Sequence, residues 1–102
     1  MRALQVDPAD NVAVAAQTVP PGGLVEIRSG LTVTAGEEIP LGHKIALCAI
    51  AAGDMVIKYG VPIGRASRDI PQGSHVHTQN VEDITTQLCR EYAAAFRKEA
   101  GA

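Results

Sequence analysis

The stretch Ile39-Pro40-Leu41-Gly42-His43-Lys44-Ile45 carries the pattern that decides the fold. A β-branched residue is followed by proline, any residue, glycine, two more residues and a second β-branched residue. Proline restricts φ, and glycine allows the positive φ that many tight turns need. β-branched residues suit the pleated, half-buried surface of a sheet. The pattern therefore predicts a strand end, a turn and a new strand.

The same pattern occurs in three other places, once with alanine instead of proline. The copies are Val19-Pro20-Pro21-Gly22-Gly23-Leu24-Val25, Ile50-Ala51-Ala52-Gly53-Asp54-Met55-Val56 and Ile70-Pro71-Gln72-Gly73-Ser74-His75-Val76. The copies begin at residues 19, 39, 50 and 70, so the steps between them are 20, 11 and 20 residues. A solenoid needs a fixed period, so this alternation instead predicts two related halves of one compact β domain. The predicted strands cover residues 12–18, 24–27, 44–47, 55–57, 62–66 and 75–78.

The C-terminal part of the chain has a different pattern. Asn80 is a candidate helix N-cap, and Glu82 and Asp83 suit the first turn of a helix. An apolar stripe with a spacing of four residues follows and predicts a helix; it consists of Ile84, Leu88, Tyr92 and Phe96. The sequence therefore predicts a mainly β domain over residues 1–81 and a C-terminal α-helix and tail over residues 82–102. The stripe could pack on its own domain or on a partner, and the sequence leaves both open.

Composition narrows the class of protein. The 102 residues suit one domain, and the net charge of −2 offers no electrostatic basis for binding nucleic acid. No apolar run approaches the ~20 residues that span a bilayer, and residues 1–20 lack the pattern of a secretory signal. We therefore expect a cytoplasmic protein with no nucleic-acid or membrane partner.

Four motifs follow one another in a specific order and spacing. They are Gly42-His43-Lys44, the I-x-x-G-x-x-V-x-K-Y-G run over residues 50–60, the I-G-x-A run over residues 63–66, and the D-I-x-x-G-x-x-V-H-x-x-N run over residues 69–80. Across residues 10–81 the chain resembles the SAF domain of the altronate/galactarate dehydratase family, and the small subunit of sulfolactate sulfo-lyase is similar. The resemblance implies a β-clip fold, related in shape to antifreeze-like domains. It also implies a role beside a large catalytic subunit that eliminates water or sulfite from a hydroxy acid. The family often has a histidine at the position of Gln79, which is a departure here.

The three histidines all fall within these motifs. Elimination from a hydroxy acid needs a base, a group that stabilises the enediolate, and an acid for the leaving group. We therefore expect His43 and His77 to be catalytic proton-transfer groups. His75 and His77 are two residues apart and would share one side of a strand, so they are the predicted metal ligands. The alternative is that these histidines are exposed and have no role.

A divalent metal, Fe²⁺ or Mn²⁺, is the expected cofactor, because a metal often stabilises such an enediolate. Two histidines are too few for a closed site with four ligands. The metal is therefore expected to be held mainly by the partner subunit.

Cationic and polar residues in the motifs are the candidate substrate-binding groups. Lys44, Lys58 and Arg65 could pair with the carboxylate of a sugar acid. Tyr59 could donate a hydrogen bond to the substrate or the partner, or it could simply cap a core that has few aromatic residues. Asn80, beside the histidine motif, completes the predicted set.

The resemblance and the motifs together predict the small subunit or N-terminal domain of a lyase, specifically a hydro-lyase like altronate or galactarate dehydratase. The expected partners are a large catalytic dehydratase subunit and a small sugar-acid substrate, and we do not expect activity without the large subunit. The alternatives are the small subunit of a sulfolactate sulfo-lyase, or a module that binds a carbohydrate or an acid without chemistry. Short strands with open edges also allow a homodimer.

Overall fold

The computed structural model describes residues 1–28 and 30–83, with the side chain of Asp83 left out. These residues form nine short strands and contain no helix, which confirms the prediction of a mainly β protein. The strands are β1 (Ala3–Leu4), β2 (Val12–Ala15), β3 (Leu24–Arg28), β4 (Leu31–Thr34), β5 (Lys44–Ala46), β6 (Met55–Lys58), β7 (Val61–Ala66), β8 (His75–Val76) and β9 (Val81–Asp83). Within the same residues, no helical segment has the length and apolar character needed to cross a bilayer.

The four predicted turns all form, and each places its glycine at a positive φ. The φ values of Gly22, Gly42, Gly53 and Gly73 lie between 79° and 89°. In the copy that begins at Ile39, the His43 N–H donates to the Pro40 carbonyl at 3.0 Å, so proline is the first residue of the turn and glycine is the third. A side chain at this third position would be strained, which explains why all four copies have glycine there.

The first residues of the four copies pair with one another and define the two predicted halves. Val19 exchanges two backbone hydrogen bonds with Ile39, and Ile50 does the same with Ile70. Each pair closes a loop that contains one hairpin, β3–β4 in the first half and β6–β7 in the second. The first pair is 31 residues before the second in the sequence, so the two halves have the same design.

A central antiparallel sheet with strand order β1-β2-β5-β8 lies between the two halves. Ile45 on β5 is buried in one apolar cluster, and its neighbour Ala46 is buried in the other. Because successive residues of a strand face opposite sides, the central sheet contributes side chains to two cores. The first core contains Ala3, Ala13, Ala15, Val19, Val25, Val33, Ala35, Ile39, Ile45 and Leu47. The second contains Val12, Ala46, Ile50, Val56, Ala66, Ile70 and Val76.

The structure extends the prediction in three places and corrects it in one. All six predicted strands are present, with ends that differ by three residues or fewer, while β1, β4 and β9 were not predicted. Residues 80–83 do not start a helix, because Val81 pairs with Ala66 of β7 and packs against the second core. The remainder of the predicted C-terminal helix and tail lies outside the described residues.

Candidate functional site

The three histidines meet at one end of the central sheet. In the antiparallel pair β5–β8, Lys44 lies opposite Val76 and Ile45 lies opposite His75. This register, continued by one residue, places His43 opposite His77. Their ring centroids are 4.4 Å apart, and the ring of His75 lies 5.0 Å from that of His43 and 5.5 Å from that of His77. The predicted meeting of the histidines at a shared site is therefore present in the structure.

A short chain of hydrogen bonds connects two of these rings to Gln79. The Nδ1 atom of His43 is 2.8 Å from Nε2 of His75. On the other side of the same ring, Nδ1 of His75 is 3.2 Å from Nε2 of Gln79. Both ring nitrogens of His75 are therefore engaged by neighbouring side chains.

The surroundings of His75 disfavour its charged form. Partial burial lowers the pKa of His75, and the nearby His43 lowers it further, while the carboxylate of Glu37 acts in the opposite direction. The net pKa is lower than the ordinary value for histidine. The neutral form of the His75 imidazole is therefore favoured near neutral pH, and this form can both donate and accept a hydrogen bond.

Asn80 holds the backbone of the histidine loop from inside. Its side chain is buried, and its Oδ1 accepts a hydrogen bond from the His77 N–H at 3.0 Å. Its Nδ2 donates to the His75 carbonyl at 2.8 Å. The amide predicted to bind substrate is thus engaged with the backbone on both sides, and its contacts here position His75 and His77.

A cleft of about 270 Å³ opens beside His77. Lys44, His77 and Thr78 line it together with an apolar wall from the second core and its edge; that wall consists of Val56, Ile63, Val76 and Val81. A cleft with a few convergent polar groups on an apolar wall is the usual form of a small-molecule site. Lys44 and His77 are therefore both lining residues of one concave surface.

A second, more polar cleft of about 370 Å³ lies next to Gln79 and Asn80. Glu37, Arg68 and Asp69 bring charges of both signs to it. The guanidinium of Arg68 donates to the Gln79 carbonyl at 3.0 Å and so fixes the backbone of Gln79. Arg68 in this cleft therefore helps to hold the segment that follows the histidines.

The other predicted substrate-binding residues line neither cleft. Lys58 and Tyr59 are at the tip of the β6–β7 hairpin, where the Lys58 ammonium lies 4.3 Å from the centre of the Tyr59 ring. Tyr59 is 58% exposed, so the alternative that it caps the core is wrong. Arg65 is on β7, opposite Met55 and Glu82. Of the predicted cations, only Lys44 shares a cleft with a histidine.

Whether the three histidines could bind a metal ion depends on the hydrogen bond between His43 and His75. One ring nitrogen from each histidine lies within 4.8 Å of the others, and imidazole is a common ligand of divalent transition metals. His75, however, could bind a metal through Nε2 only by giving up its hydrogen bond to His43. The arrangement fits a hydrogen-bonded pair of imidazoles beside a third one better than it fits a centre with three histidine ligands.

Two residues at the site were not assigned a role from the sequence. Gln79 was noted only as a departure from the family pattern, although it contacts His75 twice. Glu37 precedes the turn that carries His43, and its influence on His75 arises from the folding of distant segments. No local sequence signal could identify either contact.

Comparisons with known proteins identify the family to which the chain is similar. Residues 1–84 match the family described as altronate/galactarate dehydratase SAF domain. The chain is 45% identical to altronate dehydratase of Escherichia coli over 86% of its own length and 18% of that protein. It is 37% identical to altronate dehydratase of Bacillus subtilis over 78% of its length and 16% of that protein.

A third relative is closer in size to the chain. The (2R)-sulfolactate sulfo-lyase subunit alpha of Paracoccus pantotrophus is 52% identical over 51% of the chain and 78% of that subunit. The chain thus spans less than a fifth of the two altronate dehydratases but corresponds to most of this small subunit. The strand-and-turn pattern, the histidine motifs and the family match lead to one conclusion: this chain belongs to the altronate/galactarate dehydratase SAF domain family.

Proposed function

We propose that this chain is the SAF component of a lyase that eliminates water from a sugar acid together with a larger catalytic subunit or domain. The observation that carries the proposal is the meeting of His43 and His77, with ring centroids 4.4 Å apart, beside a cleft that also contains Lys44. The names of the altronate dehydratase relatives supply the reaction class. Their much greater length supports the need for a partner.

The proposed roles follow from the chemistry of the elimination. A base removes the proton from the carbon next to the carboxylate, and an acid protonates the departing hydroxyl group. His43 and His77 are the proposed proton-transfer pair, because imidazole is the side chain that most often serves in general acid–base catalysis. Lys44 binds the substrate carboxylate from the same cleft, and Asn80 positions the histidine loop from behind. The enol that results tautomerises to a 2-keto-3-deoxy acid.

A divalent metal, Fe²⁺ or Mn²⁺, remains part of the proposal as a cofactor held mainly by the large partner. Such a metal would stabilise the enediolate by binding the carboxylate and the neighbouring hydroxyl group. The hydrogen bonds of His75 support placing the metal with the partner rather than on the histidines of this chain.

A sulfo-lyase is the second candidate function. The observation that favours it is the similarity to most of a separate small subunit, the sulfolactate sulfo-lyase subunit alpha of Paracoccus pantotrophus. The same histidines would then serve an elimination in which sulfite departs instead of water.

Reconstitution tests both candidates. Residues 1–84 would replace the matching region of Escherichia coli altronate dehydratase, and the chimera would be assayed with Fe²⁺ or Mn²⁺ for 2-keto-3-deoxy acid formation. In parallel, the full chain would be co-expressed with a sulfo-lyase large subunit and assayed for sulfite release. Turnover in the first assay supports the hydro-lyase, and turnover only in the second supports the sulfo-lyase. A folded chain that supports neither reaction would leave the non-catalytic binding module as the better description.

Two lysine variants of the active chimera test the proposed carboxylate site. Lys44→Ala removes a cation that lines the cleft with His77, so we expect KM to rise by about tenfold, the loss of roughly one charge-assisted hydrogen bond. Lys58→Ala removes a cation at the hairpin tip and serves as the matched control with an unchanged KM. Equal effects of the two substitutions would contradict the assignment of Lys44.

A further inference from the structure

The side chain of Gln79 meets two atoms of the same histidine. Its Nε2 atom is 3.2 Å from the Nδ1 atom of His75 and 3.3 Å from the carbonyl oxygen of His75. A carbonyl oxygen can only accept a hydrogen bond, so the NH₂ end of the Gln79 amide must face His75. That end can only donate, and Nδ1 of His75 must therefore present its lone pair.

The direction of this first hydrogen bond determines the next one. With Nδ1 as an acceptor, neutral His75 carries its proton on Nε2, which is 2.8 Å from Nδ1 of His43. Nδ1 of His43 must then accept, and neutral His43 carries its own proton on Nε2. The result is a chain of donors that runs from Gln79 through His75 to His43.

We propose that Gln79 is a positioning residue that sets the tautomer of His75 and, through it, the tautomer of His43. This inference rests on the proposed proton-transfer role of His43 and deepens it. Neutral His43 then offers an N–H group from Nε2, which can donate a hydrogen bond to the leaving hydroxyl group. His77 takes the role of the base, and His75 acts as a donor to His43 instead of a metal ligand.

Two substitutions of Gln79 separate donation from acceptance at this position. Gln79→Lys keeps a donor beside Nδ1 of His75, and we expect the tautomers to stay as they are. Gln79→Glu supplies only acceptors, so His75 should move its proton to Nδ1, and His43 should then donate from Nδ1 and lose its proton on Nε2. The loop should hold its shape in both variants, because Asn80 still binds the His75 carbonyl at 2.8 Å.

The readout is the set of ¹⁵N chemical shifts of the imidazole nitrogens in the full-length, uniformly ¹⁵N-labelled chain. These shifts distinguish protonated from unprotonated nitrogens and would be recorded at about pH 8.5, above the ordinary pKa of histidine of about 6.5. Gln72→Glu is the matched control, since Gln72 also donates to a backbone carbonyl, that of Leu47, and the substitution adds the same charge. It should leave all three imidazoles unchanged.

Two results would overturn the inference: a protonated Nδ1 on His75 in the unsubstituted chain, or tautomers that do not change in Gln79→Glu. In the active chimera, Gln79→Glu should lower turnover by about tenfold, the loss of roughly one hydrogen bond to the leaving group, while Gln72→Glu should not. If the chimera is inactive but the tautomers change as described, the proposed function fails and the role of Gln79 stands. If the chimera is active but the tautomers do not change in Gln79→Glu, the proposed function stands and the role of Gln79 fails.

Discussion

Asp10 is a buried carboxylate that ties the N-terminal segment to the hairpin tip of β6 and β7. Its Oδ1 accepts a hydrogen bond from the Gly60 N–H at 2.8 Å, and its Oδ2 accepts from the Asp7 N–H at 3.0 Å. Burial on its own would raise the pKa of Asp10, but the backbone N–H groups favour the charged form, and the net pKa lies below the ordinary value. The ionised side chain therefore contributes to stability.

The sign of this shift predicts how stability depends on pH. A carboxylate whose pKa is lowered by folding stabilises the protein above its ordinary pKa of about 3.9, and this stability is lost as the pH falls through the folded value. Asp10→Asn should lower the urea midpoint at pH 7, because its NH₂ group would face backbone N–H groups. The difference between the two midpoints should shrink as the pH falls through the folded pKa of Asp10. Asp54→Asn, at an exposed carboxylate, is the control, and an equal effect of both substitutions at pH 7 would contradict the prediction.

His77 is the exposed member of the histidine group, so its side chain can be removed without disturbing the core. His77→Ala should lower turnover of the active chimera at least tenfold, because a general acid or base contributes about 10²–10⁴-fold. The urea midpoint of the isolated chain should be unchanged. Full turnover in a folded variant would exclude His77 from the mechanism.

At the scale of the elements, the four turns differ in how closely they are packed. Gly73 and Gly53 occupy equivalent positions with φ values of 86° and 89°. A Cβ atom on Gly73 would lie 2.1 Å from the Thr34 carbonyl oxygen, whereas one on Gly53 would have no heavy atom within 4 Å. The fourth turn thus packs against β4 of the other half, and the third turn is open to solvent.

This pair of glycines allows backbone strain to be separated from steric overlap. Gly53→Ala should lower the free energy of unfolding by about 1–2 kcal/mol, because alanine is strained in the left-handed conformation. Gly73→Ala should lower it by the same amount and by a further amount of about 1–3 kcal/mol, because the new methyl group overlaps its neighbours. Urea denaturation of the full chain should therefore show the larger loss for Gly73→Ala, and equal losses would contradict the close contact with Thr34.

The turns were predictable from the sequence because proline and glycine act locally on φ. The strand β9 was not, since its three residues are extended only through pairing with β7, and the polar start Asn80-Val81-Glu82-Asp83 reads locally as a helix. β1 is a similar case, with two residues that pair with β2. Elements this short carry too little pattern of their own to be recognised without their partners.

In the site, too, the residues that belong to local motifs could be predicted, and the contacts that depend on the fold could not. The motifs predicted His43 and His77 together, because their spacing from two turn glycines sets the register of β5 and β8. Lys58 and Arg65 were predicted to bind substrate only because they are cations. The charge of a side chain does not reveal where it lies in the fold, and neither residue lines a described cleft with a histidine. The role of Gln79 depends on the position of its side-chain amide beside His75, and the spacing of the motifs does not predict that position.

At the scale of the whole molecule, the central sheet joins the two halves into one structure. Both halves contribute strands to it, and its two faces supply side chains to both cores. The histidines lie where β5 of one half meets β8 of the other, so the site exists only when both halves are folded. Stability and function should therefore depend on both halves together.

The two equivalent core residues Ile39 and Ile70 test this dependence. Each is at most 1% exposed, Ile39 in the first core and Ile70 in the second. Ile39→Val and Ile70→Val keep the β-branch and should each lower the free energy of unfolding by about 0.5–1.5 kcal/mol. If the halves unfold together, each substitution shifts one single urea transition, and the shift is the same by far-UV circular dichroism and by tyrosine fluorescence. A biphasic curve, or a shift seen by only one probe, would mean that each half folds on its own and that the histidine site can be lost while half of the domain remains folded.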